Sequence, residues 1–152
     1  MPASSPSDPA GSSRGGGWVL AQSVLIVLMV VLVFLPPYWP RQLSFAGIPI
    51  AVVGAVGFVW AARTLGTSLT PYPRPRESGE LIVTGPYRFL RHPIYVSGFL
   101  FFLGVGLSSS LPATVGAVAL GALWRRKAAV EEAHLDARFP EYADYRARVR
   151  RL

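Results

Sequence analysis

The stretch WVLAQSVLIVLMVVLVFL, residues 18–35, is apolar throughout except for Gln22 and Ser23. A helix needs roughly 17 to 25 such residues to cross about 30 Å of hydrocarbon, so this stretch reads as a spanning helix. Its flanks separate it from a secretory signal peptide. A polar tail precedes it instead of a short basic segment, and Pro36-Pro37-Tyr38-Trp39 follows instead of a small-residue cleavage site. The tail, residues 1–17, is rich in Ser, Pro and Gly and is expected to be a disordered cytoplasmic segment. Residues 18–152 are then expected to form one domain.

Moving along the chain, a second apolar block covers about residues 45–62. In it Gly47, Ala51 and Ala55 recur every fourth residue, which puts small side chains on one helix face and predicts close packing against a neighbouring span. From Arg63 to Pro93 the apolar character collapses, and Pro71, Pro73, Pro75 and Pro86 with Gly66, Gly79 and Gly85 rule out a long helix. A connection of that length usually binds something or is disordered. Apolar residues return from Ile94, pause at Ser108-Ser109-Ser110 and resume from Leu111 through Val130. Two thin or tilted spans, at about 94–109 and 111–130, are preferred over a re-entrant hairpin.

The basic residues give an independent test, because cytoplasmic loops near helix ends carry the excess of Lys and Arg. With four spans, Arg14, Arg63, Arg74, Arg76, Arg88, Arg91, Arg125, Arg126, Lys127 and the C-terminal arginines share one side, and Arg41 stands alone on the other. The expected fold is therefore all-α: a polytopic membrane protein of about four transmembrane helices with both termini cytoplasmic. A C-terminal amphipathic interfacial helix, residues 131–152, completes it. There Leu135, Phe139, Tyr142, Tyr145 and Val149 recur every three or four residues among arginines, and Pro140 is expected in the first turn of a second helical piece.

The net charge of +7 fits contact with anionic lipid headgroups. No nucleic-acid recognition motif accompanies it, so nucleic-acid binding is not expected. The chain has no cysteine, which excludes disulfides, thiolate metal sites and cysteine nucleophiles. Fourteen arginines against one lysine, with many Ala and Gly, suggest a GC-rich bacterial genome and hence a bacterial inner membrane.

Two clusters carry candidate chemistry. The loop ends in GPYRFLRHPIY, residues 85–95. Proline disfavours helical backbone before it, so His92 is expected to cap the third span and Pro93 to open it, with Arg91 at the membrane boundary. Arginine beside a helix N-terminus suits a carboxylate or phosphate, though arginines there also simply contact lipid. The second cluster, Glu131-Glu132, follows the basic run Arg125-Arg126-Lys127. An antiparallel hairpin of the third and fourth spans would bring these glutamates to Arg91 and His92. Glu131-x-x-His134 has di-iron spacing, but such sites need two copies and more glutamates, so no metal is expected and His134 is given no catalytic role.

The string Gly85-x-Tyr87-x-x-x-Arg91-His92-Pro93-x-Tyr95-x-x-Gly98, then Glu131-Glu132-x-x-Leu135-x-x-x-Phe139 and Tyr142-x-x-Tyr145, resembles the isoprenylcysteine carboxyl methyltransferase and phospholipid methyltransferase superfamily. The resemblance implies an S-adenosyl-L-methionine pocket reached from the cytosol, with a membrane lipid or small hydrophobic acceptor arriving from the bilayer. It implies that Tyr87, His92, Pro93, Tyr95 and Gly98 shape the cofactor pocket, that Glu131 or Glu132 holds a polar group of the cofactor, and that Arg91 and Arg148 place an anionic group. Arg91, His92 and Glu132 become the catalytic candidates. It also implies a proline-containing tail beyond the final arginines; with the sequence ending at Leu152, either a more open pocket or a shortened piece of a longer chain is expected. Membrane sterol reductases share a similar Arg-His-Pro-x-Tyr segment, so a nicotinamide-dependent reductase is the alternative enzyme, and a non-catalytic membrane protein of the same fold the alternative to both.

Overall fold

The computed structural model describes residues 15–36, 41–73 and 80–150. Among the described residues five α-helices carry the fold: α1 (Gly16–Leu32), α2 (Arg41–Leu65), α3 (Pro93–Ser109), α4 (Leu111–Arg138) and α5 (Tyr142–Arg148). Among the described residues there is no β-strand, only an isolated bridge between Leu90 and Arg150. The all-α expectation therefore holds. The expected tail lies outside the described residues up to residue 14, and α1 begins at Gly16, two residues before the apolar stretch.

The serine pause between the third and fourth blocks is a corner. Ser110 is extended (φ −150°, ψ 154°), and its hydroxyl oxygen accepts from the Ala113 N–H at 3.2 Å, capping α4. The same hydroxyl donates to the Leu32 carbonyl at 2.7 Å, fastening the end of α1 to the corner. α3 and α4 consequently form an antiparallel hairpin, with α1 packed on α4 and α2 on α3.

The α2–α3 contact depends on missing side chains. A Cβ added at Gly47 would strike the Gly104 carbonyl, and one added at Gly104 would strike the Ala51 backbone nitrogen. The predicted stripe of Gly47 and Ala51 thus lies against α3, backbone close to backbone. The interior combines small and polar residues such as Ala113, Ala117, Ser110, His92 and Lys127 with Met29, Leu120 and Trp124, whereas Leu20, Val27, Phe45, Val53, Val56 and Val115 face outward. An apolar exterior over so much of the surface is what a lipid-facing protein presents. The run Ser44–Ser68 is long and apolar enough to cross a membrane by itself; α1 and α3 are apolar but have 17 residues each.

The C-terminal segment departs from expectation. Residues 131–138 continue α4, so a single 28-residue helix carries both the fourth apolar block and the glutamate pair. The chain breaks at Phe139, and Pro140 lies in the turn before α5, not in its first helical turn. The turn closes when the Tyr142 N–H donates to the Phe139 carbonyl at 2.9 Å, leaving Glu141 as the cap. α5 also turns Tyr142 and Tyr145 into the protein, where both are buried.

Candidate functional site

The site forms where the start of α3 meets the end of α4. Upstream, Gly85 has φ 56°, a left-handed conformation, and a Cβ there would press on Thr64 of α2 at 2.9 Å. Glycine therefore lets the 3-10 turn Gly85–Arg88 sit against α2 and bury Pro86 and Tyr87. The Tyr145 hydroxyl donates to the Tyr87 carbonyl at 2.6 Å, and the Arg91 N–H donates to the Arg150 carbonyl at 3.1 Å. These bonds bind α5 to the approach to α3. Pro93 opens α3, and His92 precedes it in a non-helical conformation (φ −128°), as its position before proline requires.

Glu132 Oε1 receives Arg91 Nη1 at 3.1 Å and His92 Nε2 at 3.0 Å. In the tautomer protonated at Nε2, His92 donates to this oxygen. Glu131 Oε2 accepts from the Tyr95 hydroxyl at 3.0 Å and lies 3.7 Å from His92 Nδ1. The expected meeting of Arg91 and His92 with the glutamate pair is thus present. The two glutamates face differently. Glu131 lines a cavity with Tyr87, Arg91, His92, Tyr95 and Tyr142, while Glu132 sits behind Arg91 and His92, 7% exposed.

Burial, opposed by His92 and Tyr95, pushes the Glu131 carboxyl above the usual carboxylate range. Burial also pushes the Tyr142 and Tyr145 hydroxyls up to about 12, so both keep their protons at neutral pH. The Tyr142 hydroxyl lies beside the Arg91 guanidinium, which opposes the effect of burial on it.

A second, larger hollow adjoins the first. It is an apolar groove of about 570 Å³, walled by Ile26, Phe58, Phe101, Phe102 and Trp124, with Gln22 and Lys127 as its polar members. Leu69, Thr70, Ile94 and Tyr95 line both hollows and form the partition. The Tyr95 ring stacks between His92 (centroids 5.6 Å apart) and Trp124 (6.0 Å).

Of the sequence-derived candidates, Tyr87, Arg91, His92, Tyr95 and Glu131 come together at the cavity, and Glu132 supports them. Pro93 is buried at the helix start. Gly98 instead lies under Trp124, whose ring would be 2.8 Å from an added Cβ, and lines the groove. Arg148 is not brought to the cluster: it is exposed, and its Nε donates to the Asp144 carbonyl within α5. His134 Nδ1 donates to the Val130 carbonyl at 2.7 Å. Sequence reading passed over Tyr142 and Tyr145 as cavity walls, although their spacing was noted, and over Gln22, the polar break in the first apolar stretch. Among the described residues no group of three or more His, Asp or Glu side chains is placed to hold a metal ion.

This arrangement defines an integral-membrane methyltransferase fold. The chain superposes on isoprenylcysteine carboxyl methyltransferase, the eukaryotic intramembrane Ras methyltransferase, with a TM-score of 0.70 over 86% of this chain and 50% of that one, at 23% identity. Residues 43–142 match the phospholipid methyltransferase family, and the chain belongs to that family. It is 30% identical to the cobalt-zinc-cadmium resistance protein CzcN of Cupriavidus metallidurans over 95% of this chain and 70% of CzcN. It is also 30% identical to the nickel-cobalt-cadmium resistance protein NccN of Alcaligenes xylosoxydans, over 83% of this chain and 59% of NccN.

Proposed function

We propose that the chain is an S-adenosylmethionine-dependent methyltransferase acting on an apolar-tailed acceptor at the cytoplasmic face of a bacterial inner membrane. The observation that carries this reading is the shared partition: a polar cavity and an apolar groove meet at Tyr95, Ile94, Leu69 and Thr70. A charged cofactor and a lipid-like acceptor need two such compartments with one border.

The residues present suit the cofactor. Arg91 and Tyr142 offer donors for its carboxylate, Glu131 an acceptor for its ammonium or ribose hydroxyls, and Leu135 and Phe139 apolar cavity walls for its base. When bound, S-adenosylmethionine supplies a methyl group on a positively charged sulfur. The protein's part is to position and to exclude water, which supplies most of the acceleration in such a displacement. Glu132 fixes Arg91 and His92.

The surrounding fold is read as one domain, residues 18–152, of four spans with both termini cytoplasmic. The one-sided arginines support that topology, and so does the apolar exterior. Anionic lipid headgroups are the partners of the basic side.

Calorimetry on detergent-purified protein tests the central claim: S-adenosylmethionine and its demethylated product bind, and labelled methyl appears in a lipid extract. Absence of binding near physiological cofactor concentration sinks it. The relatives' names concern metal resistance, so cobalt, zinc and cadmium tolerance of a strain carrying Glu131→Gln shows whether any such role depends on methyl transfer.

A further inference from the structure

α1 lies outside residues 43–142, the part of the chain that matches the family, yet one of its side chains reaches the site. Gln22 Oε1 receives two donors at once, Trp124 Nε1 at 2.9 Å and Lys127 Nζ at 2.9 Å. An indole N–H and an ammonium can only donate, so the pair fixes which end of the amide faces them. Each donor leads on to the partition by its own route. The Trp124 ring covers Gly98 and stacks on Tyr95 with centroids 6.0 Å apart. Lys127 Nζ also donates to the Pro71 carbonyl at 2.6 Å, directly after Leu69 and Thr70, while Glu131, one helical turn further on, meets its charge. Tyr95, Leu69 and Thr70 line both hollows. A single amide oxygen of α1 thus ties down both sides of the border between the polar cavity and the groove. Fastening α1 to α4 does not require it. Met29 already packs with Ala113 and Ala117, and Ser110 already holds the Leu32 carbonyl. A polar side chain within an apolar span is costly and marks a working part of the protein.

We propose that Gln22 is a positioning residue for methyl transfer: through Trp124 and Lys127 it holds Tyr95 and the strap of residues 69–71 where the two hollows meet. This rests on the methyltransferase reading above and adds α1 to its site. An in-line displacement tolerates little error, since a misplacement of about 1 Å costs about a hundredfold in rate. Binding of the cofactor is a separate matter, because the polar cavity is walled by Tyr87, Arg91, Glu131 and Tyr142, and Gln22 is not one of its walls. Loss of the Gln22 oxygen therefore loosens the border, slows transfer and leaves cofactor affinity in place.

The test uses the full chain in detergent. Gln22→Leu removes the oxygen, Gln22→Asn draws it back by one methylene, and Gln22→Glu keeps an acceptor in place. Two readouts need no substrate: exchange of the Trp124 indole proton by heteronuclear NMR, assigned with Trp124→Phe, and exchange of the Leu69, Thr70 and Tyr72 amides. Both are expected to accelerate about tenfold in Gln22→Leu, less in Gln22→Asn and not at all in Gln22→Glu, while the α2–α3 contact keeps its protection. S-adenosylmethionine should bind all three variants as it binds the unsubstituted protein. The initial rate of labelled-methyl transfer into a lipid extract should fall about tenfold or more in Gln22→Leu and recover in Gln22→Glu. Unchanged exchange at both places overturns the proposal, read in Gln22→Leu or, if that variant does not fold, in Gln22→Asn. A full transfer rate with both protections lost overturns it as well. The two readings separate on the same preparations. Faster exchange in a protein that binds no cofactor removes the methyltransferase and keeps Gln22 as the anchor of the border; cofactor binding and methyl transfer with unchanged exchange do the reverse.

Discussion

His92 Nε2 and Glu132 Oε1 meet at 3.0 Å across 40 positions of sequence, and the same glutamate oxygen holds Arg91 at 3.1 Å. One carboxylate thus fixes two residues of the α3 entrance to α4, from a position behind the cavity. Its removal strands a buried guanidinium. Glu132→Ala is expected to cost about 3 kcal/mol or more, read as a lower unfolding temperature in detergent, and to weaken cofactor binding through Arg91. Unchanged thermal stability contradicts this.

Glu131 faces the cavity and has a different signature. Glu131→Gln is expected to unfold near the temperature of the unsubstituted protein but to bind S-adenosylmethionine about tenfold or more weakly. Because its carboxyl is held above the usual range by burial, the native state keeps the proton more tightly than the unfolded chain. Its favourable share of stability is present below the unfolded value and lost as pH rises through the native one. Cofactor affinity runs the other way, since an ionised Glu131 is the acceptor. Calorimetry across pH should show affinity falling on acidification before an ordinary glutamate would titrate, with a flatter profile in Glu131→Gln.

Tyr145→Phe deletes the bond to the Tyr87 carbonyl and nothing else of size. Leaving a buried carbonyl unpaired costs about 1–3 kcal/mol. The loss should be local: hydrogen exchange of α5 and of the turn Gly85–Arg88 accelerates, while the α2–α3 contact keeps its protection. Uniform acceleration throughout the protein speaks against a local role.

The glycines differ in what surrounds them. At Gly104 the obstacle is the α2 backbone, which has nowhere to move, whereas at Gly98 it is the far edge of the Trp124 ring. Gly104→Val should abolish folded protein on gel filtration. Gly98→Ala should fold with a loss of about 1–3 kcal/mol from strain.

Topology can be read with single cysteines, since the chain has none. In right-side-out spheroplasts a membrane-impermeant maleimide should label Leu111→Cys at the α3–α4 corner and spare Thr67→Cys at the end of α2. Labelling of both before permeabilisation excludes four spans with cytoplasmic termini.

The sequence made the helices legible because lipid-facing blocks are long and uniform, and the glutamate–arginine meeting legible because a hairpin admits only one pairing of its ends. The exact extent of α4 was not, because apolar character ends at Val130 whereas the helix continues to Arg138. Nor was the groove, whose walls come from four helices and whose polar members, Gln22 and Lys127, are 105 residues apart. No local pattern links such residues. Arg148 was given a ligand by resemblance, but the face of α5 turned inward belongs to Tyr142 and Tyr145.

Helices that meet through small residues, with bulky apolar ones facing outward, change how variation reads. Val53, Val56 and Val115 are mostly exposed and can drift among apolar residues, so their diversity among relatives should be wide and uninformative. Ala113, Ala117 and Gly104 have no room to grow. In a complete substitution scan, the intolerant positions should therefore trace the helix contacts, and the smallest side chains should be the least replaceable.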